Sequence, residues 1–157
     1  MATFEQLKSW IQNSDVSQLG RTQKVTDDYK EFMSMVKQEW NSIDDYIMFR
    51  VFQGQFVIDE ETGKRKVSFD PSEEKSPRAS LVKNDFPYNV SHDVQHYVLW
   101  STQRLDNEQV ASTLSKLLPS KRYEVVWFEN TPALKSVKNV WHAQVFSRAK
   151  QNRCVIV

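Results

Sequence analysis

Cysteine and glycine are nearly absent from this chain. Its 157 residues hold one cysteine, Cys154, and three glycines, Gly20, Gly54 and Gly63. A single thiol excludes an internal disulfide and a multi-cysteine zinc site. No two glycines fall at the spacing of a phosphate-binding loop or a dinucleotide fingerprint, and neither Gly-x-Ser-x-Gly nor His-Glu-x-x-His occurs. Kinase, P-loop, Rossmann, serine-hydrolase and zincin chemistries lose their usual warrants. No apolar run approaches the roughly 18 residues of a membrane span. The opening Met-Ala-Thr-Phe-Glu-Gln has no basic stretch followed by an apolar one, so a secretory signal is not expected.

What is present is aromatic and apolar. Hydrophobic residues make up 39% and aromatics 12%, with five tryptophans, too much for a disordered chain. The length suits one domain, read as a helical half over 1–53, a sheet half over 54–148 and a basic tail over 149–157. Charge is nearly balanced, 21 Lys+Arg against 20 Asp+Glu, but unevenly placed. Residues 1–100 carry 12 basic and 16 acidic side chains (12 − 16 = −4), and residues 101–157 carry 9 and 4 (9 − 4 = +5). The basic third suits phosphate, acidic lipid or an acidic partner, and equally an internal match to the acidic half. Its scattered spacing predicts no nucleic-acid site.

The patterning predicts helices first and strands after Gly54. Thr3-Phe-Glu-Gln6 is a capping box, followed by Phe4, Leu7, Trp10 and Ile11 at helical spacing. A second helix is predicted from Thr26, with Tyr29, Phe32, Met33, Val36 and Trp40 on one face. A third opens at Ser42 with Ile43, Tyr46, Ile47 and Val51. Such stripes could border a ligand groove, but core packing is their usual role. Gln55–Ile58 and Lys66–Phe69 read as a hairpin, and Asp70–Ser80, with two prolines, as a loop in which Ser76-Pro77 could be phosphorylated. His96–Trp100, Tyr123–Phe128 and Val140–Phe146 read as strands, with a helix from Asp106 to Pro119 between the first two. The expected fold class is α+β: N-terminal helices packed on a mainly antiparallel sheet with one crossover helix.

Two stretches are richer than a scaffold needs. Asn84-Asp85-Phe-Pro-Tyr88 runs toward His96, and Trp127-Phe-Glu-Asn130 continues through Lys135, Ser136 and Val137 to Trp141-His142-Ala-Gln144. Polar groups at strand ends among aromatics can bind a nucleotide or sugar phosphate. The rings would take a base or sugar, Lys135 and backbone N–H groups the phosphate, and His142 nucleophilic or acid–base work. The same letters also suit turns at Asn84, Asp85 and Asn130 and a core at Trp141 and His142. His92 and His96 stand four apart, but Pro87 and the strand-like run argue against one helix face, so no metal site and no cofactor are expected.

These residues carry two resemblances. Leu19-Gly-Arg21, Tyr29 and Ser42-Ile-Asp-Asp-Tyr-Ile47, then Asn-Asp-Phe-Pro-Tyr, His-x-x-x-Trp, Trp-Phe-x-Asn-x-Pro-x-Leu-Lys-Ser-Val and His-x-x-Val, resemble a fungal family of unknown function, the N-acetylglucosamine-induced protein 1-like family, across about residues 4–148. That resemblance implies no particular reaction. Phe128-Glu-Asn130 and His142-Ala-Gln144-Val145 resemble the galactose-1-phosphate uridylyltransferase-like branch of the histidine-triad superfamily. This second resemblance implies His142 as nucleophile at a nucleoside phosphate, Gln144 and Ser136 holding phosphate oxygens, and Asp85 meeting a ribose hydroxyl. Val140 stands where the first histidine of that triad would be, the spacing from Ser136-Val137 to His142 has one extra residue, and the glycine before the phosphate-binding residues is absent. A histidine-dependent nucleotidyl transferase or phosphoester hydrolase and a non-catalytic ligand-binding descendant both remain open.

The last four residues, Cys154-Val-Ile-Val157, have the shape of a prenylation box, with Arg148, Lys150 and Arg153 upstream. Lipid and basic charge together would tether the chain to a membrane as an interaction protein. The final Val departs from the usual last residue, and the four letters also read as an edge strand. The sequence therefore predicts a cytoplasmic protein, with the nucleus or a membrane surface as other compartments, and a small phosphorylated ligand as partner. Asn89-Val-Ser91 is a glycosylation sequon by letter only.

Overall fold

The computed structural model describes residues 1–70, 73–132, 135, 137 and 139–151. Helix α1 (Phe4–Gln12) begins with the expected capping box: Gln6 N–H donates to Thr3 Oγ1 (3.2 Å) and Thr3 N–H to Gln6 Oε1 (2.9 Å). Helix α2 (Gln23–Glu39) starts at the Thr22 cap rather than at Thr26, because the Thr22 hydroxyl accepts from Val25 N and the helix is already turning when Thr26 is reached. Helix α3 (Ile43–Phe52) opens at Ser42 as read from the sequence. Strands β1 (Phe56–Ile58) and β2 (Arg65–Val67) form a two-stranded antiparallel hairpin. The second strand lies earlier than Lys66–Phe69. Asp59 N–H donates to Lys64 O and Gly63 N–H to Asp59 O, with Gly63 at φ 70°, so the turn closes the ladder at Ile58 and Arg65.

The main sheet contains β3 (Ala79–Lys83), β4 (Val94–Ser101), β5 (Tyr123–Phe128) and β6 (Trp141–Ala149) in the order β3-β4-β6-β5, every neighbouring pair antiparallel. Helix α4 (Asn107–Leu117), capped by Asp106 and Gln109, crosses from β4 to the far edge and leaves room for β6 between. The fold is thus α+β, with N-terminal helices preceding an antiparallel sheet and one helix crossing over. Strand β3 was not expected. Its letters alternate weakly, and pairing with β4 from Ala79↔Ser101 to Lys83↔Tyr97 orders it.

Alternation sets the layers. Leu99, Ala143 and Val145 face α4 and pack with Val110, Leu114 and Leu118. The opposite face carries three cross-strand pairs in a row: His96↔Phe146, Val98↔Gln144 and Trp100↔His142. Phe146 is fully buried there with Phe4 and Leu7 of α1, a burial that contributes about 2–3 kcal/mol for each large side chain. Trp100 meets Ile47, Met48, Val137 and Val140 under α3. Gln144 and His142 are the buried polar members of the Val98↔Gln144 and Trp100↔His142 pairs on this face. No helix among the described residues is long and apolar enough to cross a membrane.

Candidate functional site

A cavity of about 410 Å³ opens where α2 and α3 stand off from that sheet face. Val98, Trp100, His142 and Gln144 form its floor. Tyr29, Phe32 and Met33 of α2 and Tyr46, Ile47 and Arg50 of α3 form one wall, and the Lys83–Tyr88 segment forms the rim. Asn84, Asp85, Asn130, His142 and Gln144, distant in sequence, come together around this one space. The stripes of α2 and α3 therefore serve two purposes: Val36 and Ile47 are buried, whereas half-buried Tyr29 and Phe32 line the opening.

His142 Nδ1 lies 3.3 Å from the Val140 carbonyl. A carbonyl oxygen only accepts, so Nδ1 carries the proton and Nε2 keeps its lone pair. No described residue hydrogen-bonds Nε2, and the ring lies tilted against Trp100 with centroids 4.9 Å apart. Burial pushes the His142 pKa below its ordinary value and the Val140 bond does not restore it, so the imidazole is neutral near pH 7. Its neighbour Gln144 gives Oε1 to His96 Nε2 at 2.7 Å. The Gln144 amide nitrogen has no acceptor among the described residues, leaving two N–H donors beside His142.

His96 lies behind the wall of the cavity. Its Nδ1 accepts from the Tyr88 backbone N–H (3.0 Å), its Nε2–H donates to Gln144, and its ring is stacked between Tyr88 and Phe146. Burial above all, helped by the Arg21 charge, lowers its pKa to about 4 against the opposing Gln144 bond. Around it the Asn84–Tyr88 rim is shaped by its own letters. Asn84 Oδ1 accepts from Phe86 N (2.8 Å), Asn84 N donates to His96 O (3.0 Å), and Phe86 packs on Tyr29 and Phe32. His96 and Asn84 thus fix the rim, and Asp85 is exposed on it.

Lys135 is placed differently. Its ammonium pairs with Glu129 at 2.6 Å, with only 12% of the side chain exposed, and it is not part of the cavity lining. Burial works against the Glu129 charge, but Lys135 and Arg104 overcome it and the carboxyl pKa is lowered. Ser136 and Cys154 lie outside the described residues. The positive charges that do line the cavity are Arg21, Arg50 and Lys83, against Asp85. All three come from the half of the sequence that is acidic overall, so charge counting pointed away from them. Their signal was positional: Arg21 directly precedes the α2 cap, and Lys83 adjoins Asn84.

A helical layer that leaves part of an antiparallel sheet face open over a polar, aromatic cavity defines an α+β protein with a cavity between its helices and its sheet. Residues 3–117 match the family described as "Protein of unknown function (DUF3605)", and the chain belongs to that family. The match stops short of β5 and β6, which carry Asn130, His142 and Gln144 nearby or within them. The Saccharomyces cerevisiae "Uncharacterized protein YPL067C" is 28% identical over 161 aligned positions, spanning 90% of this chain and 76% of that protein. The Candida albicans "N-acetylglucosamine-induced protein 1" is 24% identical over 184 positions, spanning 98% and 70%. The solved structure titled "Crystal Structure of HTC1" superposes with a TM-score of 0.67 at 24% identity over 99% of this chain and 90% of that one, which establishes a shared fold.

Proposed function

We propose that the cavity binds a nucleotide or sugar-phosphate-like ligand, with its phosphoryl group at His142, Gln144 and Asn130, and that His142 acts on that group. The observation that carries this reading is that His142 and Gln144 both line the cavity, with His142 Nδ1 against the Val140 carbonyl and Gln144 Oε1 against His96 Nε2, which leaves the His142 Nε2 lone pair and the Gln144 N–H donors without a partner among the described residues. A neutral imidazole is a competent nucleophile, and the Gln144 amide supplies donors for the charge that builds on phosphoryl oxygens. Tyr29, Phe32, Tyr46 and Phe86 offer ring faces for a base or sugar. The His-x-Gln spacing shared with the histidine-triad superfamily points the same way.

In the reaction, Nε2 forms a bond to phosphorus as the bond to the leaving oxygen breaks, and that oxygen keeps the electron pair. Water or an acceptor hydroxyl then attacks the phosphorus. The N–P pair returns to Nε2, and the attacking oxygen gives up its proton to solvent. The test is thermal unfolding of the full chain with a panel of nucleotides and sugar phosphates, followed by phosphorus NMR of any ligand that binds. A ligand-dependent rise in Tm is expected, with turnover that His142→Ala abolishes while the fold persists. Equal turnover in that variant removes His142 from the chemistry, binding without turnover leaves a binding module, and no shift across the panel removes the ligand reading.

A further inference from the structure

Arg21 has an unusual set of neighbours for a half-buried arginine. Its Nε–H donates to the Phe86 carbonyl at 2.8 Å, and its guanidinium lies 4.7 Å from the Tyr29 ring centroid and 5.1 Å from that of Tyr88. The fork is held from three sides, yet no carboxylate pairs with it among the described residues, and its terminal nitrogens carry no hydrogen bond while the residue lines the cavity. A pre-positioned guanidinium without a counter-ion is a receptor for a planar or tetrahedral oxyanion, because two parallel N–H donors meet two oxygens at little further entropy cost.

Its place along the floor matters as much. The Arg21 contacts run through Tyr88, which stacks on His96 at 4.9 Å, while His142 lies against Trp100. His96 and Trp100 are four residues apart on β4, which at roughly 3.3 Å per residue separates the two levels by about 13 Å. Arg21 thus stands over Tyr88 at the His96 end of this sheet face, and His142 at the Trp100 end. Between them lie Val98 and Gln144 below and Phe86 at the rim.

We infer that Arg21 is a second anion-binding point and that the ligand is elongated, with one phosphate at His142 and another at Arg21, joined by a sugar or nucleoside body. This deepens the reading above and rests on it. The aromatic contacts of Arg21 hold the fork, the Phe86 carbonyl sets its rotation, and the rim folded by Asn84 and His96 keeps both in place.

Calorimetric titration of the full chain tests this with two pairs of probes: fructose 1,6-bisphosphate against fructose 6-phosphate, and adenosine 3′,5′-bisphosphate against adenosine 5′-monophosphate. The wild-type chain is expected to bind at least one bisphosphate about tenfold or more tightly than its partner, the worth of one charge-assisted contact. Arg21→Gln should remove that advantage, bringing the bisphosphate-to-monophosphate affinity ratio close to one. Arg21→Lys, which keeps the charge but loses the fork, should retain only part of it. Because Arg21 also braces Phe86, unfolding curves accompany each variant, and the wild-type comparison decides the matter if a variant does not fold. Equal affinities within both pairs, or a bisphosphate preference that survives Arg21→Gln in a folded variant, overturn the Arg21 assignment and leave the His142 reading in place. Failure of the wild-type chain to bind any of the four overturns both.

Discussion

Asp44 in the first turn of α3 accepts the backbone N–H of Val140 at 3.1 Å, ninety-six positions away. The same carboxylate accepts from Asn139 N and Nδ2, at 3.0 and 3.2 Å. The Val140 carbonyl in turn receives His142 Nδ1–H, so the helical layer and the candidate nucleophile are joined through the backbone of one residue, Val140.

Removing Asp44 should be felt at both ends of that link. Asp44→Ala is expected to lower stability by about 1–3 kcal/mol in urea titrations, since two backbone N–H groups lose their acceptor. The His142 imidazole resonances should move, whereas those of exposed His92 should stay. An unmoved His142 spectrum in a folded variant would break the proposed chain of contacts.

Acid sensitivity follows from His96. Its pKa falls from 6.5 in the unfolded chain to about 4 in the folded one, so the unfolded chain takes up a proton first as pH drops. The stabilisation is complete above pH 6.5 and is lost progressively toward pH 4. At pH 5 the loss from this residue is about 2 kcal/mol. His142, shifted in the same direction, adds to it. Proton NMR should show His96 still neutral at pH 5, and a His96 signal titrating near 6.5 would contradict its buried, doubly bonded environment.

Arg148 clamps the N-terminal helix to the sheet. It reaches Glu124 at 2.7 Å and Glu5 at 2.8 Å, with its guanidinium carbon 4.5 Å from the Phe4 ring centroid. Isolated exposed pairs contribute little, but this one joins two carboxylates and a ring. Arg148→Ala should cost about 1–2 kcal/mol at low salt, and the cost should shrink as salt rises. A salt-independent loss would mean that the stem's packing, not the charge, does the stabilising. The same contacts engage one of the three charges counted upstream of Cys154.

Two adjacent positions after α3 should respond in opposite directions. Gln53 sits at φ 56°, a left-handed conformation that costs a side-chain-bearing residue energy. Gln53→Gly is expected to raise stability by about 0.5–1 kcal/mol. Next to it, a Cβ on Gly54 would meet Val67 Cγ1 at 3.0 Å and the Met48 carbonyl oxygen at 3.2 Å. Gly54→Ala should therefore destabilise, by about 1–3 kcal/mol, through overpacking between α3 and β2. Denaturant midpoints of the two single variants check both signs.

Much of the fold was legible in local chemistry. The Thr3 and Asp106 capping boxes and the Ser42 cap mark helix starts because a side-chain oxygen must meet free backbone N–H groups, a requirement met within three residues. Tyr123–Phe128 announced a strand through its run of aromatic and β-branched residues. Strand β3 escaped because its order comes from β4, and the start of α2 was displaced because Thr22 and Thr26 are both acceptable caps.

The candidate site was legible only in part. The residue types at 84, 85, 130, 142 and 144 announced polar chemistry among aromatic rings, and the fold gathers those five around one cavity. Lys135 looked available in the sequence, yet a carboxylate six positions earlier holds it. Arg21 carried only a positional sign before the α2 cap, because its role depends on Tyr88 and Phe86 across 65 and more positions.

By itself the sequence determined which segments coil, which extend and which side chains could do chemistry, since caps, turns and periodicity are settled between near neighbours. Only the tertiary structure decided which of those side chains face the cavity, which lock a rim in place and which cancel one another's charge. The offset between β4 and β6 and the stand-off of α2 and α3 make that choice, and both arise from packing between elements far apart along the chain, where no local pattern reaches.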